Sequence, residues 1–230
     1  MRIKNPFNDL TKFEFKLWLV SMIVVSASFL LATERDYLTL IASLIGVTAL
    51  IFVAKGYVVG QVLTVVFALF YGIISFYFQY YGEMLTYMCM TAPIALMAVI
   101  SWIKHPYKNS NEVEVRKMKL KEALFMIVLA LIVTIIFYFV LGALNTANLL
   151  FSTISVTTSF LACYLTYMRN PFYAIAYAAN DIVLIVLWIL ASVENISYLP
   201  MVFCFVMFFV NDMYGFINWR KMENRQGRNL

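Results

Sequence analysis

Eight long apolar stretches, separated by short polar gaps, fill most of this 230-residue chain. A membrane-spanning helix needs about 20 mostly apolar residues, so each stretch is a candidate span, although the first is the shortest. In lipid, a helix satisfies its backbone hydrogen bonds within itself. We therefore predict an all-α integral membrane protein with about eight transmembrane helices. The predicted spans cover approximately residues 17 to 32, 38 to 54, 57 to 79, 83 to 103, 122 to 142, 149 to 167, 171 to 191 and 197 to 219.

The composition excludes a sizeable soluble domain, because 63% of the residues are hydrophobic and only 13% are charged. In a soluble protein, the net charge of +5 would suggest a nucleic-acid partner. Here membrane orientation explains the excess of cations better, so we expect the lipid bilayer as a partner and no nucleic acid. The cysteines Cys89, Cys163 and Cys204 all lie in apolar stretches and predict no disulfide framework.

The cations indicate how the chain is oriented. If the N-terminus is cytoplasmic, all but one of the 17 Lys and Arg residues fall on the cytoplasmic side, and only Arg35 falls outside. Cytoplasmic loops of membrane proteins carry an excess of Lys and Arg. We therefore predict a multi-pass protein of the cell (inner) membrane with both termini in the cytoplasm.

A long polar stretch between Trp102 and Glu122 divides the chain into two halves. Each half contains three consecutive spans, and the lone span between them inverts the chain, so the two triplets run parallel. Parallel repeats place a substrate route between the halves, near the bilayer midplane. The predicted units are an N-terminal segment with an extra helix (1–37), a first three-helix bundle (38–103), a loop and linker helix (104–148), a second three-helix bundle (149–219) and a basic tail (220–230).

Short motifs recur in the two triplets. Lys55-Gly56 and Arg169-Asn170 mark tight cytoplasmic turns, and Ser101-Trp102 and Asn218-Trp219 close each triplet. These similarities support a repeat, although Trp and Lys are also common at membrane interfaces in general. By the same rule, Trp18, Trp102 and Trp219 are predicted to lie in interfacial belts.

Two carboxylates, Asp181 and Asp212, lie within predicted spans, each directly after an asparagine. An acid in hydrocarbon is costly unless it faces a cavity or finds partners. No Lys, Arg or His is deep enough in a span to pair with either of them. The two acids are therefore candidates for a substrate or proton site, with a structural hydrogen-bond hub as the alternative.

Polar residues recur at helical spacing along the third, sixth, seventh and eighth spans, and we expect these faces to converge on one cavity. Amides offer donors and acceptors that suit sugar hydroxyls and carboxamides, and tyrosine rings suit a planar heterocycle. The alternative is that polar residues bind helices to each other. For Trp188 the alternative is a place in the outer belt. Pro93 predicts a kink in the fourth span. The candidate substrate-binding residues are Asn180, Gln61, Tyr173, Tyr177, Asp181, Trp188, Tyr71, Asn211 and Asp212.

Signatures of enzymes are missing from the sequence. The single histidine, His105, lies in a predicted loop, and no G-x-S-x-G, Walker A or G-x-G-x-x-G motif occurs. We therefore predict no catalytic residue, no metal and no cofactor. An intramembrane enzyme acting on a lipid through Asp181 and Asp212 is less favoured, because the two acids are on separate helices and lack basic partners. A scaffold without transport activity does not explain the buried amides.

Two segments carry a family resemblance, residues 169–188 with Asn180-Asp181 and residues 211–220 with Asn211-Asp212. They resemble the Pnu vitamin transporters, in particular the PnuC type that carries nicotinamide riboside. Gly60-Gln61 through Tyr71-Gly72, and Tyr81-Gly82-Glu83-Met84, are similar to the first repeat of that family. The resemblance covers nearly the whole chain.

The resemblance implies a SWEET-like fold of two three-helix bundles joined by an inverting helix. It implies facilitated uptake of nicotinamide riboside by alternating access, trapping by a cytoplasmic nucleoside kinase, and a homo-oligomer such as a trimer. It also implies a W-x-x-W-x-x-x-N pattern on the seventh helix. Asn180 matches the asparagine, whereas Tyr173 and Ala176 replace the two tryptophans. Because one aromatic residue is lost, thiamine and riboflavin remain alternative substrates.

Overall fold

The computed structural model describes residues 5–32, 36–77, 81–108, 110–146 and 148–228. Within these ranges, eight helices are long and apolar enough to cross a membrane, which confirms the predicted fold class. Four residues used in the sequence predictions lie outside the described residues. They are Arg35 of the predicted outer loop, Gln79 at the end of the polar face of the third span, and Arg2 and Lys4 near the N-terminus. The helices are α1 (Lys12–Leu30), α2 (Tyr37–Ala54), α3 (Val58–Tyr77), α4 (Tyr81–Lys104), α5 (Leu120–Ala143), α6 (Leu149–Tyr167), α7 (Tyr173–Glu194) and α8 (Leu199–Gly227).

The first helix begins earlier than the apolar pattern predicts, at Lys12, because polar residues cap it. Thr11 Oγ1 accepts a hydrogen bond from the Glu14 N–H at 3.2 Å, and Glu14 accepts one from the Thr11 N–H at 2.6 Å. This reciprocal capping box satisfies two helix-end donors. The first span is therefore a helix of 19 residues rather than a marginal one.

The last helix extends beyond its predicted end, to Gly227. Its polar end packs on the loop before α5, where Gln226 accepts a hydrogen bond from the Val115 N–H at 2.7 Å and donates to the Val113 carbonyl at 3.1 Å. Hydropathy does not detect this extension, because polar contacts stabilise it.

The fourth helix is irregular ahead of Pro93, as predicted. Thr86–Thr91 form a π-helical stretch between two α-helical segments. Proline has no N–H to donate to the preceding turn, and a π-helical turn accommodates an extra residue there. Tyr87 and Thr91, within this stretch, line a central cavity.

The turns after α2 and α6 have the same geometry. Gly56 and Arg169 both adopt the left-handed conformation, with φ of 70° and 57°. Their N–H groups donate three residues back, to Val53 at 2.8 Å and to Thr166 at 3.0 Å. The equivalent residues are therefore Gly56 and Arg169, one position away from the predicted pairing of Lys55-Gly56 with Arg169-Asn170.

Two tryptophans bind the ends of these same helices. Trp102 on α4 donates through Nε1 to the Thr166 carbonyl of α6 at 3.0 Å, and Trp219 on α8 donates to the Val53 carbonyl of α2 at 2.8 Å. The residues before them repeat the pattern: Ser101 donates to Tyr167 at 3.1 Å, and Asn218 donates to Ala54 at 2.8 Å. The last helix of each triplet thus caps the first helix of the other. We call this end of the molecule the tryptophan end.

The prediction that Trp102 and Trp219 belong to interfacial belts was wrong. Their exposed fractions are 1% and 0%, and their ring centroids are 5.4 Å apart. The physical reason is that the last carbonyls of a helix have no partner within that helix. An indole N–H supplies the partner, so these rings are held inside the protein rather than among lipid head groups.

The long polar loop bridges the two equivalent turns. The Val113 N–H donates to the Gly56 carbonyl at 2.9 Å, and the Arg116 N–H donates to the Arg169 carbonyl at 3.0 Å. The described part of the stretch that divides the sequence into halves therefore contacts both halves.

The first helix is fastened by a buried acid. Glu14, 2% exposed, accepts hydrogen bonds from Lys55 Nζ at 3.0 Å and from the Tyr214 hydroxyl at 2.8 Å. Deeper in the membrane, Ser21 accepts a hydrogen bond from Asn211 at 2.9 Å. Helix α1 thus binds the end of α2 and one face of α8. The apolar pattern does not reveal Glu14, because the predicted span begins three residues after it.

Replacing Trp219 by phenylalanine keeps an aromatic ring and leaves the Val53 carbonyl unpaired. We expect the free energy of unfolding to fall by about 1 to 2 kcal/mol, the usual effect of losing one buried hydrogen bond. Trp102→Phe should have a similar effect, since its contact is equivalent. Thermal unfolding in detergent measures both. Trp18→Phe, whose indole donates to the hydroxyl of Thr48 rather than to a helix end, is the control and should lose less. If Trp102→Phe and Trp219→Phe are as stable as the native chain, the two indole hydrogen bonds do not stabilise the helix ends.

Replacing Glu14 by leucine leaves the partly buried Lys55 without its counter-ion, so we expect a loss of about 3 kcal/mol in the free energy of unfolding. Lys55→Met should produce a comparable loss. The double variant Glu14→Leu with Lys55→Met should recover much of it, because no isolated charge remains. If the loss in the double variant equals the sum of the two single losses, Glu14 and Lys55 do not stabilise the protein through their interaction.

Candidate functional site

A narrow cavity of about 60 Å³ lies within the spans, between the two triplets. Phenylalanines from α3 and α8 close its apolar walls, together with Tyr87 of α4. Nine sequence-predicted residues were expected to share one site, and five of them line this central cavity. These five are Gln61, Tyr177, Asn180, Asp181 and Asp212.

Asn180 is held by two hydroxyl groups of the neighbouring helix α6. Its side-chain oxygen accepts hydrogen bonds from Ser155 at 3.1 Å and from Thr158 at 2.9 Å. Both acceptor positions of the oxygen are therefore occupied. Its NH₂ group donates to no other described residue and remains available to an acceptor in the cavity. Ser155 and Thr158 thus position the Asn180 side chain. The sequence pattern favours helix packing for Ser155 and does not single out Thr158.

Gln61 lines the same cavity from the first turn of α3 and is 2% exposed. The glycine before it allows this position. A methyl group at residue 60 would lie 2.4 Å from the Val53 nitrogen, so only glycine lets α3 approach the end of α2 this closely. The Gln61 amide hydrogen-bonds to no other described residue, so it is a second buried amide with free donors and acceptors.

Asp181 of α7 and Asp212 of α8 form a buried pair. Each is 3% exposed, and their carboxyl groups lie within hydrogen-bonding reach of each other. Asp181 Oδ2 makes no hydrogen bond to any described residue. Two adjacent carboxylates cannot both remain ionised in a medium of low dielectric constant, so the pair retains a proton or faces a cation. The two acids are 31 positions apart, and their spacing in the sequence did not reveal this contact.

Tyr177 lines the cavity, whereas Tyr173, one turn earlier, does not. The Tyr177 hydroxyl lies 3.3 Å from Cys163 Sγ. Tyr173 is 1% exposed and packs edge-on against Trp219 with ring centroids 5.0 Å apart. Its hydroxyl lies against Gly215. Tyr173 therefore belongs to the closed tryptophan end rather than to the walls of the cavity, contrary to the sequence prediction.

Asn211 also lies outside the cavity. Its Nδ2 donates to Ser21 at 2.9 Å and to the Met207 carbonyl at 2.8 Å. Successive residues of an α-helix point about 100° apart, so Asn211 faces α1 while Asp212 faces the cavity. The predicted contribution of Asn211 to a substrate site is corrected to a contact between α1 and α8.

Tyr71 and Trp188 line a different cavity, of about 110 Å³. It lies at the end opposite the tryptophan end, because Asp36 before α2 and Asn195 after α7 border it. A neighbouring cavity of about 280 Å³ shares Trp188. We call these two the outer cavities. The predicted single polar site is thus divided between a central cavity and the outer cavities.

The walls of the central and outer cavities carry one sign of charge. They include Asp36, Glu83, Asp181 and Asp212, and no described Lys, Arg or His lines any of them. Clefts lined by one sign of charge attract ligands of the opposite sign. The route therefore suits a cationic or neutral ligand and repels an anion. Among the described residues, no group of three His, Cys, Asp or Glu side chains could hold a metal ion.

Comparisons with known proteins identify a family of membrane transporters. The sequence model of the nicotinamide mononucleotide transporter family matches residues 36–221. A nicotinamide riboside transporter PnuC from Neisseria mucosa is 25% identical over 227 residues, which cover 96% of this chain and 86% of that protein. Its namesake from Haemophilus influenzae is 22% identical, with 97% of each chain covered. The crystal structure of the vitamin B3 transporter PnuC has the same fold, with a TM-score of 0.81 and 24% identity over 94% of each chain.

Replacing Asp181 by asparagine should stabilise the protein, because it removes one of two adjacent buried carboxylates and offers an NH₂ group to Asp212. We expect the free energy of unfolding to rise by about 1 kcal/mol, the usual size of one hydrogen bond. Thermal unfolding measures the change. Asp36→Asn is the matched control, since the Asp36 oxygens already accept bonds from Leu38 and Thr39 and gain nothing. A less stable Asp181→Asn variant would contradict the interpretation that the two adjacent carboxyl groups destabilise the protein.

Proposed function

The chain belongs to the nicotinamide mononucleotide transporter family, and we propose that it takes up nicotinamide riboside, a precursor of NAD, across the cell membrane. It is a membrane transporter and not an enzyme, as the names of its relatives indicate. The observation that carries the proposal is the central cavity, where the free NH₂ group of Asn180 and the amide of Gln61 share the walls with a carboxyl pair, and where no described Lys, Arg or His lies.

The cavity groups match the chemistry of this substrate. Nicotinamide riboside has a flat, positively charged pyridinium ring, a carboxamide and ribose hydroxyls. The free NH₂ group of Asn180 and the amide of Gln61 suit the carboxamide and the hydroxyls. The ring of Tyr177 offers a face for stacking. The Asp181–Asp212 pair, which needs a proton or a cation, supplies compensation for the positive charge.

Transport requires the helices to move. A cavity of about 60 Å³ holds a few water molecules, whereas pockets for small ligands occupy about 300 to 1,000 Å³. At the tryptophan end, four hydrogen bonds join the triplets, while the opposite end contains the two outer cavities, both larger than the central cavity. We infer alternating access by rocking of two parallel bundles, residues 38–103 and 149–219, joined by residues 104–148.

The orientation and the fate of the substrate complete the proposal. With both termini in the cytoplasm, the tryptophan end faces the cytoplasm of a multi-pass protein in the inner membrane. A cytoplasmic nucleoside kinase then traps the riboside, because a phosphate is repelled by the acids of the route. The functional unit is a homo-oligomer such as a trimer.

Thiamine and riboflavin are the alternative substrates, favoured by one observation. Where the family pattern has a second tryptophan, Ala176 packs in the apolar cluster around Trp102 and Trp219 and does not line the central cavity. The chain therefore lacks one aromatic residue of the family pattern. An intramembrane enzyme is not supported, since the related proteins are transporters.

Uptake of labelled nicotinamide riboside into proteoliposomes tests the proposal. We expect saturable uptake by the native chain. Asn180→Leu should lower uptake at least about tenfold, since losing a hydrogen bond to a charged or polar ligand costs about 1.5 kcal/mol or more. Asn224→Leu, at an exposed position of α8, is the matched control and should transport normally.

Thermal unfolding of both variants separates loss of binding from loss of folding. Competition by unlabelled thiamine and riboflavin ranks the three vitamins. Absence of saturable uptake of nicotinamide riboside would refute the proposed substrate, and full uptake by a folded Asn180→Leu variant would refute the proposed site.

A further inference from the structure

We propose that Glu83, together with the rings of Tyr71 and Tyr87, forms an outer recognition site for a flat organic cation, separate from the central cavity. The site would bind the positive charge of the substrate before the substrate reaches Asp181. This inference rests on the proposed function, since it names a second residue cluster that selects the same substrate.

Glu83 lies where the cavities meet. It lines both outer cavities, of about 110 and 280 Å³, and a small cavity of about 40 Å³ beside Tyr87. Its Oε2 atom is buried and makes no hydrogen bond to any described residue. A buried carboxylate oxygen without a partner is costly. The position of Glu83 is therefore suited to a ligand that supplies the missing partner.

The comparison with Glu14 shows that this arrangement is not a general property of buried acids in the protein. Glu14 accepts hydrogen bonds from Thr11, Lys55 and Tyr214, and it pairs with a cation. Glu83 shares the lining of an outer cavity with Tyr71 and has no described Lys or Arg beside it. One acid is fully satisfied by the protein, and the other is left open toward a cavity.

Aromatic rings surround the open carboxylate. The ring centroids of Tyr71 and Tyr87 are 4.5 Å apart, with the planes inclined by 52°. A cation over an aromatic face is attracted by the ring quadrupole, and the attraction is larger where water is excluded. A carboxylate beside two such rings binds a planar cation better than a neutral ring. A metal ion would find one carboxylate here rather than a set of ligands.

Tyr87 connects the two sites. It lines the small cavity next to Glu83 and, through the π-helical stretch of α4, also the central cavity. Acids therefore occur at two levels of the route, Asp36 and Glu83 in the outer cavities and Asp181 with Asp212 in the central cavity. Each step offers a negative charge to a passing cation, so the positive charge does not enter the membrane uncompensated.

Glu83→Gln tests the outer site, because glutamine retains the size and the hydrogen bonding but not the charge. In proteoliposomes we expect the half-saturation concentration for cationic nicotinamide riboside to rise roughly tenfold or more, the effect of losing a contact to a charged group. Unlabelled nicotinamide riboside and its neutral reduced form, dihydronicotinamide riboside, are then compared as inhibitors of labelled uptake. The preference for the cation over the neutral form should fall by a similar factor.

Two controls isolate the charge of Glu83. Glu194→Gln removes a carboxylate at the exposed end of α7, outside the cavities, and should leave both values unchanged. Glu83→Asp keeps the charge and should retain the preference for the cation. Thermal unfolding of each variant shows whether it is folded. If Glu83→Gln does not fold, Tyr87→Leu, which removes a ring of the same site, takes its place. That variant should show a reduced preference for the cation.

The outcomes distinguish this inference from the proposed function. An unchanged half-saturation concentration in Glu83→Gln, or an equal loss of affinity for the cation and for the neutral form, overturns the outer site while uptake by the native chain persists. Absence of saturable uptake by the native chain overturns the proposed function itself.

Discussion

The hydrogen bonds from Trp102 and Trp219 to the ends of α6 and α2 are the contacts on which the rest of the structure depends. A helix leaves its last carbonyls without partners, and inside a membrane protein no bulk water replaces them. Each triplet supplies the partners for the other. The same contacts join the two halves of the chain, close one end of the route and place the cavities toward the opposite end.

Carboxylates inside the protein fall into two classes, and the difference between them indicates function. Glu14 accepts hydrogen bonds from Thr11, Lys55 and Tyr214, all within the protein, and fastens α1 to its neighbours. Asp181 and Glu83 each have a buried oxygen without a described partner. Natural proteins retain such costs where a ligand removes them. The unsatisfied acids therefore mark the route more reliably than the number of polar residues on a helix does.

Much of the candidate site could be predicted from the sequence. A buried amide or acid in an apolar helix is conspicuous. This property selected Gln61, Asn180, Asp181 and Asp212, which line the central cavity, but it also selected Asn211, which does not. Glu83 was not selected, because it lies at the end of a predicted span, where an acid is ordinarily exposed to head groups. Tyr71 and Trp188 were expected in the same pocket as Asn180. They lie nearer the outer ends of their helices and line the outer cavities.

The sequence by itself determined the number of helices, their approximate bounds and the kind of solvent around them, because lipid requires long apolar helices and imposes a strong periodic signal. Only the tertiary structure decided which neighbours each polar face meets. Asn211 and Asp212 are adjacent in sequence, yet one contacts α1 and the other the cavity, because a helix turns about 100° at each residue. The contact of Asp181 with Asp212 and the burial of both tryptophans likewise arise from helix packing, which brings together residues that no local pattern connects.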